Sequence, residues 1–316
     1  PERSTDPAVT MPDAKALFVG ARSYARRSPE PAAGPPLPGA RVARYSWIDH
    51  YRPLRRALGE VADRLTTEGW KARVLADDNA LVDRAAAVRA GIGWYGKNAN
   101  VLLPGLGSWF VLGSVLTDAP IAPLRPAAPV PDGCGTCRRC LADCPTGALV
   151  APGHLDARRC LAWLLQAPGP FPVEHREALG DRIYGCDECQ ERCPVNRRAE
   201  RAGGAPDAED GAQAVLPVLE ILAAGDDELE RLVGRWYIPG RDLRYVRRNA
   251  LVVLGNVGSP DDEEVAATLR RYLGRGDPLL TAHAVWAAAR IGRTDLLAGV
   301  PADDPLVADE LSRVGS

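Results

Sequence analysis

The sequence predicts an α/β protein in three parts: an N-terminal α/β layer at 1–125, a cysteine-rich insert at 126–200 and a helical domain at 210–316. Three observations predict it. Short apolar runs alternate with helix-periodic stretches before residue 120, all eight cysteines fall between 134 and 193, and apolar helical patterns succeed one another beyond 213. A length of 316 residues suits two or three such units.

The elements follow in order. Residues 14–20 read as a buried strand, and the Pro/Gly-rich stretch 29–40 as a loop. Leu54, Leu58, Val61 and Leu65 share one face of a helix expected over 53–69. A strand is expected at 70–76, a helix at 80–90 ending at Gly91, and a further buried strand at 109–116. Five prolines make 120–132 a linker, and the Gly/Ala/acidic run 200–211 makes a second. Helices are expected at 215–224, 227–235, 243–257, 261–274 and 278–292. Two of them resemble HEAT-type units, and a plain helical domain explains them as well.

Composition narrows the partners. The formal net charge is -2, so contact with a polyanion needs a local basic patch. No apolar run is long enough to span a bilayer and no export signal is visible, which reads as a cytoplasmic protein without a membrane partner. The chain begins at Pro1, its one methionine is Met11, and residues 1–7 read as an internal loop, so a preceding segment is expected.

The cysteines carry the most specific chemistry. Cys134, Cys137, Cys140 and Cys144-Pro145 form the bacterial ferredoxin run, in which the fourth thiolate reaches across to a second cluster. Cys160, Cys186, Cys189 and Cys193-Pro194 repeat it with the first cysteine displaced upstream. Crossed wiring then assigns Cys134, Cys137, Cys140 and Cys193 to one [4Fe-4S] cluster. It assigns Cys144, Cys160, Cys186 and Cys189 to the other. Disulfides do not suit eight cysteines crowded into one segment of a large chain, and zinc sites do not need the doubled proline-ended run. A cluster pair alone relays electrons, so the chemistry lies elsewhere.

The N-terminal layer offers Asp77-Asp78-Asn79-Ala80-Leu81-Val82-Asp83-Arg84 and the block Gly91-Ile92-Gly93-Trp94-Tyr95-Gly96-Lys97-Asn98. Asp77 follows a strand, where α/β folds place their sites. An ordinary helix cap at Asp77 or Asp78 and a turn-rich packing segment explain the same residues. Gly91-x-Gly93-x-x-Gly96 follows a helix and not a strand, which weakens a dinucleotide reading. Only Lys15, Lys71 and Lys97 are lysines; a compositional bias is the plainer account, and the sharper one is that Lys97, in the glycine-rich block, serves where the arginine fork does not.

Together with Gly107-Ser108-Trp109-Phe110, Leu155-Asp156-Ala157-Arg158-Arg159-Cys160 and Tyr184-Gly185-Cys186-Asp187, these motifs resemble the tRNA epoxyqueuosine reductase family from about residue 1 to beyond 290. The resemblance implies a cobalamin-dependent oxidoreductase that reduces epoxyqueuosine to queuosine at the tRNA wobble position. It implies that the N-terminal layer is a corrinoid-binding domain and the insert a ferredoxin-like two-cluster domain. Asp77 matches the family's acid, expected in an apolar site with a raised pKa. Arg84, Tyr95, Lys97 and Asn98 match its corrinoid contacts, with the cobalamin base-off and without a protein histidine. Asp78 is expected to be a solvated neighbour and Asp83 a structural partner. The chain departs from the family at Asp49-His50-Tyr51-Arg52, where Asp-Tyr-His is usual. A monomer supplied by an external low-potential electron donor is expected.

The tRNA surface is expected at 231–248, among Arg231, Arg235, Arg241, Arg244, Arg247 and Arg248, opposed in sequence only by Asp242. Trp236 and Tyr237 could stack on unpaired bases there. A solvated helix face is the plainer reading. Two other functions stay open on the residues: a corrinoid reductive dehalogenase, and an electron carrier, which would not need the N-terminal layer.

Overall fold

The computed structural model describes residues 2–25, 38–122, 129–202 and 212–314. Most of the loop expected at 29–40 and the central parts of both linkers lie outside the described residues. In the N-terminal layer, β1 is Ala16–Ser23, β2 Gly39–Val42, α1 Tyr51–Thr67, β3 Ala72–Leu75 and α2 Asp83–Arg89. The short strands β4, Trp94–Tyr95, and β5, Val101–Leu102, form a hairpin ahead of β6, Phe110–Thr117.

The main sheet has the order β1-β6-β3, and both pairings are antiparallel. Strand β6 is buried along nearly its whole length, as its unbroken apolar run requires of a central strand. Helix α1 covers the sheet with Leu54, Leu58, Ala62 and Leu65, the face its spacing predicts. Gly20 and Gly113 lie opposite each other in the register. A Cβ at either would stand 3.0 Å or 2.8 Å from the Leu58 side chain. The paired glycines therefore form the groove that lets the helix close onto the sheet.

The cysteine-rich part is mostly loop and single helical turns. It includes the hairpin β7, Leu149–Ala151, and β8, His154–Leu155, then α3, Val173–Leu179, and β9, Arg182–Tyr184. Beyond it, β10 is Val215–Pro217 and the helices are α4 Val218–Ala223, α5 Asp226–Val233, α6 Arg244–Val257, α7 Glu263–Leu273, α8 Pro278–Arg290 and α9 Pro305–Val314. Helix α6 is buried from Val246 to Gly255, polar Arg247, Arg248 and Asn249 included, so it is a central helix. It packs on α8, which also meets α7 and α9.

The three parts are less separate than their sequence boundaries imply. A second sheet, β10-β2-β9, takes one strand from each. Arg41 stands opposite Val215 on one side and Arg182 on the other. Ala40, Val42 and Trp47 belong to the same apolar core as Phe171, Leu251 and Val285. A four-residue strand is too short to show a period, so β2 was not expected and its first two residues fall in the stretch 29–40 read as loop. Among the described residues no helix is long and apolar enough to cross a membrane.

Candidate functional site

The eight cysteines are free thiols. Cys134, Cys137, Cys140 and Cys193 line one cavity together with Lys97, Asn98, Leu102 and Gly133. Electrostatics group the thiols in the same way. Burial is the first cause that raises Cys140, followed by the charges of Cys193, Cys134 and Cys137. Burial also raises Cys189 first, then Cys186 and Cys160, and Cys144 is the thiol that acts on Cys160. Cys140 is itself a neighbour of Cys189, which brings the two sets close.

Local structure prepares two of these ligands. Cys160 precedes the helical turn Leu161–Leu164, and Cys193 precedes the helix Pro194–Ala202. Burial raises both thiols, opposed at Cys160 by the backbone N–H groups of Trp163 and Ala162 and at Cys193 by those of Asn196 and Val195. Unpaired N–H groups at a helix start favour a thiolate. Among the described residues no three His, Cys, Asp or Glu side chains converge on a single ion. Thiolates that bind separate irons at the corners of a cube stand farther apart than the ligands of one zinc.

The glycine-rich block packs directly against these loops. Trp94 donates its indole N–H to Cys134 Sγ at 3.4 Å. Lys97 Nζ donates to the carbonyls of Gly135 and of Cys137, the latter at 3.1 Å. Asn98 is buried, and its Nδ2 donates to the Cys189 carbonyl at 3.4 Å. The heads of Lys97 and Asn98 are therefore engaged by the cluster loops. Arg84 is exposed, although its Nη1 donates to the Ala99 carbonyl at 2.5 Å. Tyr95 is exposed. A Cβ at Gly96 would fall 2.1 Å from the Leu102 side chain, so this glycine serves the close β4–β5 hairpin and not a phosphate.

Asp77 leaves the end of β3 in the left-handed region at φ 56, a conformation that Asp tolerates better than most residues. It is exposed, not enclosed by apolar groups as expected. The lifted carboxyl is its neighbour Asp83, pushed up to about 6 by burial and by the charges of Asp77 and Asp78. Asp78 accepts from the Ala80 N–H at 2.8 Å and pairs with Arg73. Two tyrosines complete the group. Burial, then Asp77 and Asp83, push Tyr51 to about 12. Tyr184 is raised first by burial, with Asp77 among its charged neighbours. The sequence reading did not single out Tyr51 or Tyr184 as site residues. The departure at 49–52 has a structural account. His50 is buried, with its ring 5.4 Å from that of Tyr24. Asp49 accepts from the Arg52 N–H at 2.9 Å as α1 begins.

The arginine surface needs the clearest correction. Arg248 is 0% exposed and Arg247 3%. Arg248 donates to the carbonyls of Leu164, Leu165, Ala167 and Gly169. Arg247 reaches the Ala224 carbonyl and Asp226. Neither side chain meets a polyanion at the surface, because α6 is a central helix and not an amphipathic one. Trp236 is buried too, stacked on Tyr184 with ring centres 4.4 Å apart. Arg231, Arg235, Arg241, Arg244 and Tyr237 are exposed. Arg241 is paired with Glu230, and Arg244 with Asp242 and Asp277, so more acid opposes the patch than Asp242 alone.

Two sets of four soft thiols, set beside an acid-bearing strand end, define an iron–sulfur oxidoreductase. Residues 133–196 match the model of the 4Fe-4S double cluster binding domain family. Epoxyqueuosine reductase from Bacillus cereus is 33% identical over 304 residues, which cover 92% of this chain and 76% of the relative. The structure of epoxyqueuosine reductase from Streptococcus thermophilus superimposes with a TM-score of 0.87 at 30% identity, covering 99% of this chain and 85% of that one. A further epoxyqueuosine reductase structure, solved with an epoxyqueuosine-modified tRNA-Tyr stem loop, matches with a TM-score of 0.81 at 31% identity and covers 99% of this chain and 80% of that one. The chain belongs to the epoxyqueuosine reductase family.

Proposed function

We propose that this protein reduces epoxyqueuosine to queuosine at the wobble position of tRNA, with two [4Fe-4S] clusters and a base-off cobalamin as cofactors. The observation that carries the reading is the coexistence of the two four-thiol sets with the Asp77 strand end, in a chain that follows the epoxyqueuosine reductase fold over 99% of its length. The net reaction takes two electrons and two protons and releases the epoxide oxygen as water. Clusters suit it because each passes single electrons. The cluster set on Cys144, Cys160, Cys186 and Cys189 fits as well as the first, on donor chemistry and mutual proximity.

The corrinoid fits the exposed faces of Arg84 and Tyr95, which the packing of α2 on β4 holds together. Held there, cobalamin would supply low-potential reducing chemistry for the epoxide. Asp77 delivers the proton to the leaving oxygen, as a positioned carboxylic acid does. Asp83 and Tyr51 sit close enough to Asp77 for their charges to couple. The protein acts in the cytoplasm as a monomer, takes electrons from an external low-potential donor and needs no membrane partner.

The test is anaerobic turnover with reconstituted enzyme, cobalamin, a chemical reductant and a stem loop carrying epoxyqueuosine. Mass loss of one oxygen in the nucleoside supports the reading. Halide release from an organohalide with the stem loop untouched would replace it with dehalogenation.

A further inference from the structure

The block Gly93–Asn98 surrounds the first cluster set with donors, while at the second set Asn100 Nδ2 stands 3.9 Å from Cys189 Sγ and the Thr146 hydroxyl 4.0 Å from Cys144 Sγ. The Trp94 N–H points at Cys134 Sγ from 3.4 Å, and the indole is held there by contact with Gly133, where an added Cβ would stand 2.7 Å from the ring. Lys97 lines the same cavity and clasps the carbonyls of Gly135 and Cys137, one on each side of the loop that carries the thiols. Its own carbonyl accepts from the Gly153 N–H at 3.0 Å, so the residue is fixed from both ends. Lys97 has no carboxylate within ion-pair distance among the described residues. At the second set the nearby cation, Arg182 beside Cys186, is already paired with Glu188 at 2.6 Å.

Reduction of a cluster adds one negative charge to a cube held by four thiolates. A hydrogen bond to a ligating sulfur and an unpaired ammonium beside it both stabilise that added charge. We propose that Trp94 and Lys97 raise the reduction potential of the cluster on Cys134, Cys137, Cys140 and Cys193. They act through the cluster and do not touch substrate. The step is a one-electron transfer from an external low-potential donor to the cube, with no bond made and no proton moved. This rests on the two-cluster reading above.

The test is an anaerobic redox titration of the reconstituted holoenzyme, followed by electron paramagnetic resonance. Trp94→Phe keeps the ring against Gly133 and removes the N–H. Lys97→Gln keeps a donor for the carbonyls and removes the charge. Each should retain about eight irons. Each should lower the midpoint of one cluster by up to about 59 mV, a tenfold change in its oxidised-to-reduced ratio at fixed potential. The second couple should stay in place, and Lys97→Arg should restore most of the shift. The shifted couple should be the one that survives in Cys144→Ala. Unmoved midpoints in both variants, or movement of the couple lost in Cys144→Ala, overturn the proposal while leaving the proposed activity standing. A parent enzyme without two one-electron couples overturns both.

Discussion

Arg248 lies at the centre of the molecule, and replacing it with methionine tests how the cluster part and the helical part hold each other. Its guanidinium donates to Ala167 O at 2.8 Å, to Gly169 O at 2.5 Å, to Leu164 and Leu165 O at 3.3 and 3.4 Å, and to Asn249 Oδ1 at 2.7 Å. Those carbonyls end the turn that follows Cys160, where a positive charge complements the helix C-terminus. No carboxylate shares the site. Burial pulls the Arg248 pKa down to about 10, so it stays charged at neutral pH.

Arg248→Met preserves most of the volume but takes the arginine donor from the half-buried Ala167 and Gly169 carbonyls, each worth about 1–3 kcal/mol, while Leu164 O keeps the Ala167 N–H and Leu165 O keeps Asn249 Nδ2. Removing the buried charge returns part of its desolvation cost. The expected net loss is about 3 kcal/mol, a large share of a domain stability of about 5–15 kcal/mol. Denaturation of the holoenzyme followed by circular dichroism should show an earlier midpoint, and iron release should move with it because Cys160 begins the turn. At temperatures where the variant is folded, its affinity for tRNA and the salt dependence of that affinity should equal the parent's. Stability within about 0.5 kcal/mol of the parent would refute the reasoning, as would a flatter salt dependence in the folded variant.

Three further outcomes are expected. Asp77→Asn should keep its iron and lose most turnover, whereas Asp83→Asn should remain active and alter the pH dependence of turnover near pH 6, where Asp83 titrates; the reverse result would make Asp83 the proton donor. His283 is held neutral, pulled down to about 3 by burial and by Arg176, with its ring bonded to Leu279 O and to the Phe171 N–H. Its folded pKa lies below the unfolded value near 6.5, so its contribution is present above about pH 6.5 and fades as pH falls toward 3; the stability gap between parent and His283→Leu should narrow across that window in denaturant titrations. Neutralising Arg241 and Arg244 together, both exposed, should reduce the salt slope of tRNA binding by at most about 0.7–0.9 for each phosphate left unneutralised and cost little stability, as exposed ion pairs do; an unchanged slope would move the tRNA surface elsewhere.

What the sequence made legible was whatever it wrote locally. Leu54, Leu58 and Leu65 spelled out α1, and the unbroken run 109–116 spelled out β6, because each has enough residues to display a period. The doubled proline-ended cysteine run spelled out the thiol pairing, because ligand spacing is itself a geometric statement. What depends on a partner from afar was not legible. Strand β2 is four residues long and gains its meaning only between β9 and β10. Arg241, Arg244 and Arg248 have the three-then-four spacing of one helix face, yet Arg248 is captured by the Ala167 carbonyl, 81 residues away. Tyr184 became a site residue only because β9 brings it near Asp77. Helix α9 was missed, and it is held by the buried Arg176–Glu310 pair, 2.8 Å long and 134 residues apart in sequence.

The stretch from Asp77 to Asn100 explains why the two kinds of chemistry need one fold and not two tethered domains. Helix α2 carries Asp83 in its first turn and packs on β4 and β5. Two residues of β4 then follow, and Trp94, Lys97 and Asn98 grip the loops of both thiol sets. The carboxyls and the cluster ligands are thus joined by a continuous path of packed backbone with no flexible linker in it. Reduction of an epoxide needs electrons and a proton at one centre, and misplacement by about 1 Å can cost about a hundredfold in rate. A separate electron carrier could dock and leave. Here the cluster loops and the Asp77 carboxyl are held in one register, along which a Cβ at Gly96 would stand 2.1 Å from the Leu102 side chain and force it to shift.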